Sequence, residues 1–162
     1  MRRIRRALLM VLVPGAVIAA SVSGAVGASV AQAYGSGAVH QVEISANVQP
    51  NLFGPGTGGG IWLWIELDGS QSGGAGDYTG SDCLHRTPIG GTRAFADSGD
   101  VDWTSDGTTI TITGVTIGGS EAPTPVTITV PESGHLSTND LSSVFSAPVG
   151  GVPGTAQVQV AP

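Results

Sequence analysis

Cys83 and His85 are the two residues of the chain best suited to hold a metal ion. In an extended segment, side chains two positions apart project to the same face, so the thiolate and the imidazole can share one metal. A four-coordinate zinc or copper site needs two more ligands, and the other imidazoles belong to His40 and His135, both distant in sequence. A blue-copper site normally also uses a methionine, and both methionines lie near the N-terminus. A buried, inert Cys83 beside an exposed His85 is the favoured interpretation, and the metal site is the alternative.

Trp62, Trp64 and Glu66 occupy alternate positions of one strongly apolar segment. If the aliphatic residues between them face the core, both indoles and the carboxylate share the opposite face. Exposed neighbouring tryptophans stack on sugar rings or bind protein partners, which makes these three residues the binding candidates. A strand that is apolar on both faces usually lies centrally and is covered on both sides, so burial of the indoles is the favoured interpretation.

A group of aspartates resembles a calcium ligand set: Asp97, Asp100, Asp102 and Asp106. The spacing departs from an EF-hand loop, because Ser105 stands where the glycine is required and Thr111 where the terminal glutamate is required. A solvated hairpin face is therefore the favoured interpretation, with an irregular Ca²⁺ site as the alternative. A small secreted hydrolase that uses two carboxylates as general acid and base is a further alternative, although the sequence identifies no such pair.

The first 33 residues have the organisation of a secretory signal peptide. Four arginines within the first six positions precede an apolar stretch from Ala7 to about Ala20, and Ala31-Gln32-Ala33 has the small residues that signal peptidase reads. We expect cleavage after Ala33, by the general secretory route in preference to twin-arginine export, and a secreted domain spanning residues 34–162. The apolar stretch is interrupted by Pro14-Gly15 and is shorter than the roughly 20 residues of a membrane span, so no integral span is expected in the mature chain.

Charge and cysteine content restrict the partners. Beyond Ala33 the sequence has two arginines, no lysine and twelve acidic residues, a net charge of −10 with histidine neutral. Binding to nucleic-acid phosphates or to anionic membranes is excluded, because both need clustered cations. A disulfide within the chain is impossible with one cysteine, so Cys83 permits only a linked dimer, and mutual repulsion of acidic chains favours a monomer.

Apolar residues alternate with polar ones near 42–48, 61–67, 101–113, 126–130 and 156–160. This period of two predicts strands, with a tight turn at Gly107 and a β-bulge at Gly114. Three less regular segments are interpreted as a glycine- and serine-rich loop at 69–80, a short strand at 92–96 and a short helical turn at 137–145 with Ser137 or Thr138 as its cap. About seven or eight short strands separated by Gly/Pro turns predict an all-β fold, a two-sheet antiparallel sandwich that is immunoglobulin-like or similar, although a closed barrel also fits.

Two stretches of the chain resemble small exported actinobacterial proteins of unassigned function: residues 76–83 (GDYTGSDC) and residues 100–115, with DVDWT and ITITGV. The resemblance covers most of the mature chain and implies export, but it brings no catalytic residues. Actinobacterial chromoprotein carriers are similar in being secreted acidic sandwiches, yet they have disulfide bonds, from which a single cysteine departs. The predicted function is a secreted, non-enzymatic binding or surface-interaction protein that recognises a glycan or a protein, with no cofactor expected. A metal-binding secreted module, for copper, zinc or calcium, is the alternative.

Overall fold

The computed structural model describes residues 38–49, 59–86 and 91–162, and this part of the chain is all-β. Eight strands run in the order β1 Ala38–Val48, β2 Gly59–Asp68, β3 Gly73–Arg86, β4 Thr92–Ser105, β5 Thr109–Ile117, β6 Thr124–Pro131, β7 Gly134–Thr138 and β8 Gly154–Ala161. Short 3-10 turns lie at Gly119–Glu121, Leu141–Ser143 and Val149–Gly151. The predicted signal peptide lies outside the described residues. A helix of the length and apolar character needed to cross a membrane is absent from the described part of the chain.

All eight strands belong to one antiparallel sheet with the spatial order β6-β5-β4-β3-β2-β1-β8-β7. Strands β1 to β6 follow one another as a meander, and β8 then pairs with the free edge of β1 while β7 pairs with β8. The all-β prediction is confirmed. The strands form a single curled sheet, however, and not the two separate sheets of the predicted sandwich.

Bulges and glycines explain how one sheet curls enough to enclose a core. The register shifts between Asp82 and His85 in β3 and between Ile112 and Val115 in β5, and bulges of this kind bend a sheet and increase its twist. Gly114, at the second shift, has φ +95°, which agrees with the predicted bulge. Gly107 has φ +83° in the predicted β4–β5 turn.

The chain between β7 and β8 closes the open side of the curl against the edge of β6. Thr129 N–H donates to the Val144 carbonyl at 2.8 Å, and Ser146 N–H donates to the Thr127 carbonyl at 2.9 Å. This segment also brings Leu141, Val144 and Phe145 into the core, as the sequence predicts. Its turn is 3-10, and Asp140 caps it in place of Ser137 or Thr138.

The core lies on the concave side of the sheet. Even-numbered residues of β1 and odd-numbered residues of β2 supply aliphatic side chains, and Tyr78 and Trp103 supply aromatic ones. Polar ends of these rings are satisfied: Trp103 Nε1 donates to the Asp68 carbonyl at 2.7 Å, and the Tyr78 hydroxyl bonds to Thr116. The opposite, convex side of β1 to β4 therefore has no sheet packed on it within the described residues.

Two strands were not predicted. Strand β3 covers most of the segment interpreted as a loop, because glycines at 74, 76 and 80 take the inward positions where an apolar residue would have indicated a strand. Side chains at these positions would collide with the backbone of β2, so the glycines allow close approach of the two strands. Strand β7 lies partly where the helical turn was predicted, and it is held by pairing with β8.

Candidate functional site

Trp62 lies in the outer face of the sheet with 43% of its surface exposed. Within the described residues it is the large hydrophobic side chain that stands exposed, since its neighbours Ile61 and Leu63 point into the core. Its indole Nε1 donates a hydrogen bond to Glu43 Oε1 of β1 at 3.4 Å. The favoured prediction of burial is wrong for Trp62, because the strands form one sheet and no second sheet covers this face.

Trp64 and Glu66 follow Trp62 on the same face of β2, and both are half-buried. Burial raises the pKa of the Glu66 carboxyl, the nearby Asp77 and Asp68 carboxylates raise it further, and a hydrogen bond from Trp64 lowers it. The three binding candidates therefore share one surface, as the alternation of β2 predicts. The tryptophan closest to solvent is Trp62.

Carboxylates from three adjacent strands form a row two residues along β2 from Trp64 and four residues from Trp62. Glu66 of β2 lies directly opposite Asp77 of β3, and Asp77 lies directly opposite Asp100 of β4. Directly opposed like charges destabilise a sheet, so this row has an energetic cost to the fold. We call the outward side chains around it the Trp62 face: Glu43, Trp62, Trp64, Glu66, Asp77, Asp100 and Asp102.

Four members of the Trp62 face were not among the binding residues predicted from the sequence: Glu43, Asp77, Asp100 and Asp102. The pattern of β1 already placed Glu43 on a polar face, but its pairing with β2 depends on sheet order. Asp77 was hidden because its strand was interpreted mainly as a loop. For Asp100 the available signal was the alternation of apolar and polar residues in 101–103. Extended back by one position, it puts Asp100 on the polar face.

The structure does not gather the four predicted metal ligands. Cys83 Sγ accepts a hydrogen bond from Gly60 N–H at 3.0 Å, whereas the His85 ring packs edge-on against Phe95 with centroids 5.2 Å apart. His40 is buried beside Trp103, and His135 is exposed on β7 opposite Gln159. Among the described residues there is no group of three or more His, Cys, Asp or Glu side chains arranged to hold a metal ion.

His40 is buried near the start of β1 and belongs to a polar cluster with Glu132 and Ser105. Its Nε2 lies 3.4 Å from Glu132 Oε1, and the other oxygen of Glu132 accepts a hydrogen bond from the Ser105 hydroxyl. The carboxylate thus stands between serine and imidazole. A nucleophilic serine needs the imidazole beside it to take its proton, so this order of groups does not activate Ser105.

Asp82 and Asp97 form a buried carboxyl pair on the concave side of β3 and β4, with 2% and 4% of their surfaces exposed. Asp82 accepts N–H groups from Gly118 at 2.6 Å and Leu84 at 3.1 Å, and Asp97 accepts one from Gly119 at 2.6 Å. Burial and the neighbouring Asp82 carboxyl raise the pKa of Asp97 to about 6. A hydrolase would need its two carboxyl groups open to substrate, and this pair is enclosed by the backbone it binds.

The four aspartates considered as calcium ligands point to different places. Asp97 is in the buried pair, while Asp100 and Asp102 lie on the outer face. Asp106 Oδ1 accepts the N–H groups of Thr108 and Thr109, both at 2.8 Å, and these bonds lower the pKa of Asp106. Its role in the structure is to hold the β4–β5 turn.

Comparisons with known proteins add no family. No protein-family model, no curated protein and no solved structure matches the chain.

Proposed function

We propose that this protein is a secreted, non-enzymatic binding protein and that the Trp62 face is its recognition surface. The observation that carries the proposal is Trp62, an indole 43% exposed on a sheet face whose other members are half-buried Trp64 and carboxylates. Tryptophan is the residue type most enriched among the side chains that dominate binding energy. Export through residues 1–33 and action outside the cell are part of the same proposal.

The side chains around Trp62 support recognition more than catalysis. The hydrogen bond to Glu43 restricts the indole, so little rotational freedom is lost when a ligand stacks on it. Trp64 and Glu66 are half-buried and extend the surface along β2. An outward sheet face of this kind offers contact area and hydrogen-bond acceptors.

Replacement of Trp62 by alanine tests the proposal. The protein is applied to immobilised cellulose, to chitin and to an array of acidic, neutral and basic peptides, and retention is compared between wild type and Trp62→Ala. Because Trp62 is exposed, the variant should keep its fold, and its circular dichroism spectrum and melting temperature check this. We expect retention on whichever probe binds the wild type to fall by about ten-fold or more, the loss typical of a central aromatic contact.

His135→Ala is the matched control, since it removes another exposed ring three strands away on β7. It should bind as the wild type does. Equal retention of Trp62→Ala and wild type on every probe would refute the proposal, as would a wild type retained on none of them.

A further inference from the structure

We propose that the occupant of the Trp62 face is a polypeptide segment rich in arginine or lysine. This inference rests on the proposed function and names the partner of the same surface. It is carried by the juxtaposition of an exposed indole with carboxylates from four neighbouring strands.

The charge on this face is of one sign. Glu43, Glu66, Asp77, Asp100 and Asp102 contribute carboxylates from β1 to β4. The sequence has no lysine, and the Arg93 guanidinium is bound in a bidentate pair to Glu121, with N–O distances of 2.5 and 2.9 Å. The charge of Arg93 is therefore neutralised by Glu121. The charged members of the Trp62 face are all carboxylates, so its electrostatic potential is complementary to a basic partner.

The row formed by Glu66, Asp77 and Asp100 strengthens this conclusion. Direct opposition of like charges across two strand pairs costs stability in the free protein. Mutual repulsion also contributes to the raised pKa of Glu66. A bound cation reduces that repulsion. A positively charged partner therefore gains binding free energy on this face that a neutral partner does not gain.

Trp62 selects the kind of cation. The face of an indole attracts guanidinium and ammonium groups, and arginine stacks on it as well. Glu43 accepts the indole N–H, so a cation over the ring also lies near a carboxylate. An arginine side chain can then bind Trp62 and an acidic neighbour together.

The span of the surface favours a polypeptide over a single ion. Trp62 and Glu66 are four residues apart on β2, about 13 Å along the strand, and Asp100 lies two strands, about 10 Å, across from Glu66. The diagonal from Trp62 to Asp100 is therefore about 16 Å, and an extended segment that advances about 3.3 Å per residue covers it with about five residues. Basic side chains along it would meet the carboxylates of successive strands.

A synthetic peptide of alternating glycine and arginine is the probe. Its dissociation constant is measured by the quenching of tryptophan fluorescence and by calorimetry, at about 20 mM and about 300 mM NaCl, against a peptide of equal length with citrulline in place of arginine. Four proteins are compared: wild type, Trp62→Ala, Asp100→Asn and Asp140→Asn. Asp140→Asn removes the same charge as Asp100→Asn but lies outside the Trp62 face, in the β7–β8 connection, and its carboxamide oxygen can still accept the Ser142 N–H.

We expect the arginine peptide to bind the wild type more tightly than the citrulline peptide does, and to weaken at high salt. Trp62→Ala should raise the dissociation constant about ten-fold, and Asp100→Asn about two- to five-fold, while Asp140→Asn leaves it within about 1.5-fold. Asp100→Asn should fold normally, because the side chain is exposed and its removal relieves repulsion.

Three results would overturn the inference. Equal effects of Asp100→Asn and Asp140→Asn would mean that net charge alone attracts the peptide, and equal binding of arginine and citrulline peptides would mean that the cation is not recognised. Retention on cellulose or chitin that Trp62→Ala abolishes and Asp100→Asn leaves intact would make the partner a neutral glycan. In that last case the proposed function stands and only the basic partner is rejected, whereas no effect of Trp62→Ala on any probe rejects both.

Discussion

Asp97→Asn should make this protein more stable at neutral pH, although it alters a buried, hydrogen-bonded residue. The carboxamide keeps an oxygen to accept Gly119 N–H, the bond that Asp97 Oδ1 makes at 2.6 Å. Oδ2 of Asp97 is buried with no hydrogen-bond donor in the described part of the chain. Replacing this oxygen by an NH₂ group places a donor beside the Asp82 carboxylate and removes a buried negative charge.

The size of the gain follows from the pKa of Asp97. A pKa raised from 3.8 to about 6 means that the folded state holds a proton that the unfolded chain releases. At about 1.4 kcal/mol per pKa unit, the ionised form costs about 3 kcal/mol. The buried carboxamide retains part of the desolvation cost, so we expect Asp97→Asn to raise the free energy of unfolding by about 1 to 3 kcal/mol above pH 7.

The pH dependence has a definite sign. Because the folded-state pKa is raised, the contribution of Asp97 to stability is fully present below about pH 3.8 and falls as pH rises toward 6. Above pH 6 the penalty in the wild type is complete. The advantage of Asp97→Asn should therefore be greatest at pH 7 to 8 and disappear near pH 4.

Urea denaturation, followed by tryptophan fluorescence at several pH values from 4 to 8, measures the free energy of unfolding of variant and wild type. The contributions of the other acids cancel in the difference between the two. Asp82→Asn is the control: Asp82 accepts N–H groups on both oxygens, and a carboxamide can accept only on one, so this variant should be less stable by about 1 to 3 kcal/mol. A loss of stability in Asp97→Asn that is the same at pH 5 and pH 8 would refute the reasoning, because it would mean that the buried charge costs nothing.

Three further predictions concern the fold. Gly118→Ala should destabilise more than Gly107→Ala in chemical denaturation, because both have positive φ but only at Gly118 would a β-carbon collide with neighbours, Ala122 and His85. Tyr78→Phe should cost about 1 to 2 kcal/mol by the same measurement, since it leaves the part-buried N–H and carbonyl of Thr116 without the hydroxyl that bonds to them; an unchanged stability would contradict the contact. The protection factors of the Thr108 and Thr109 amides, which are exchange rates corrected for the intrinsic effect of pH, should fall as pH falls through the lowered pKa of Asp106, and Asp106→Ala should abolish that dependence.

The sequence predicts candidate residues correctly where their placement depends on one strand alone. The alternation in β2 is enough to put Trp62, Trp64 and Glu66 on one face, and that much is correct. Whether the face is covered depends on how many sheets form, which local alternation does not encode. Asp77 and Asp100 join the same face only through the registers of β3 with β2 and β4.

The buried carboxyl pair shows the same limit on the other side of the sheet. Asp82 and Asp97 are fifteen positions apart in the sequence, and neither lies in a motif that indicates burial. They meet because β3 and β4 are paired, with Gly80 opposite Asp97, and because the Gly118 and Gly119 N–H groups face them. Contacts of this kind arise from pairing over long separations, so composition cannot reveal them.

The sequence by itself determined the all-β class, the turn at Gly107 and the bulge at Gly114, because period-two alternation and positive-φ glycines act over a few residues. The acidic character, with twelve acidic residues against two arginines beyond Ala33, is likewise a property of the sequence alone. The tertiary structure alone decided that eight strands form one curled sheet, that β3 pairs through its glycines, and that Trp62 stays exposed. The physical reason is that coverage of a strand face depends on which distant segments pack there, and those packing energies belong to the whole sheet.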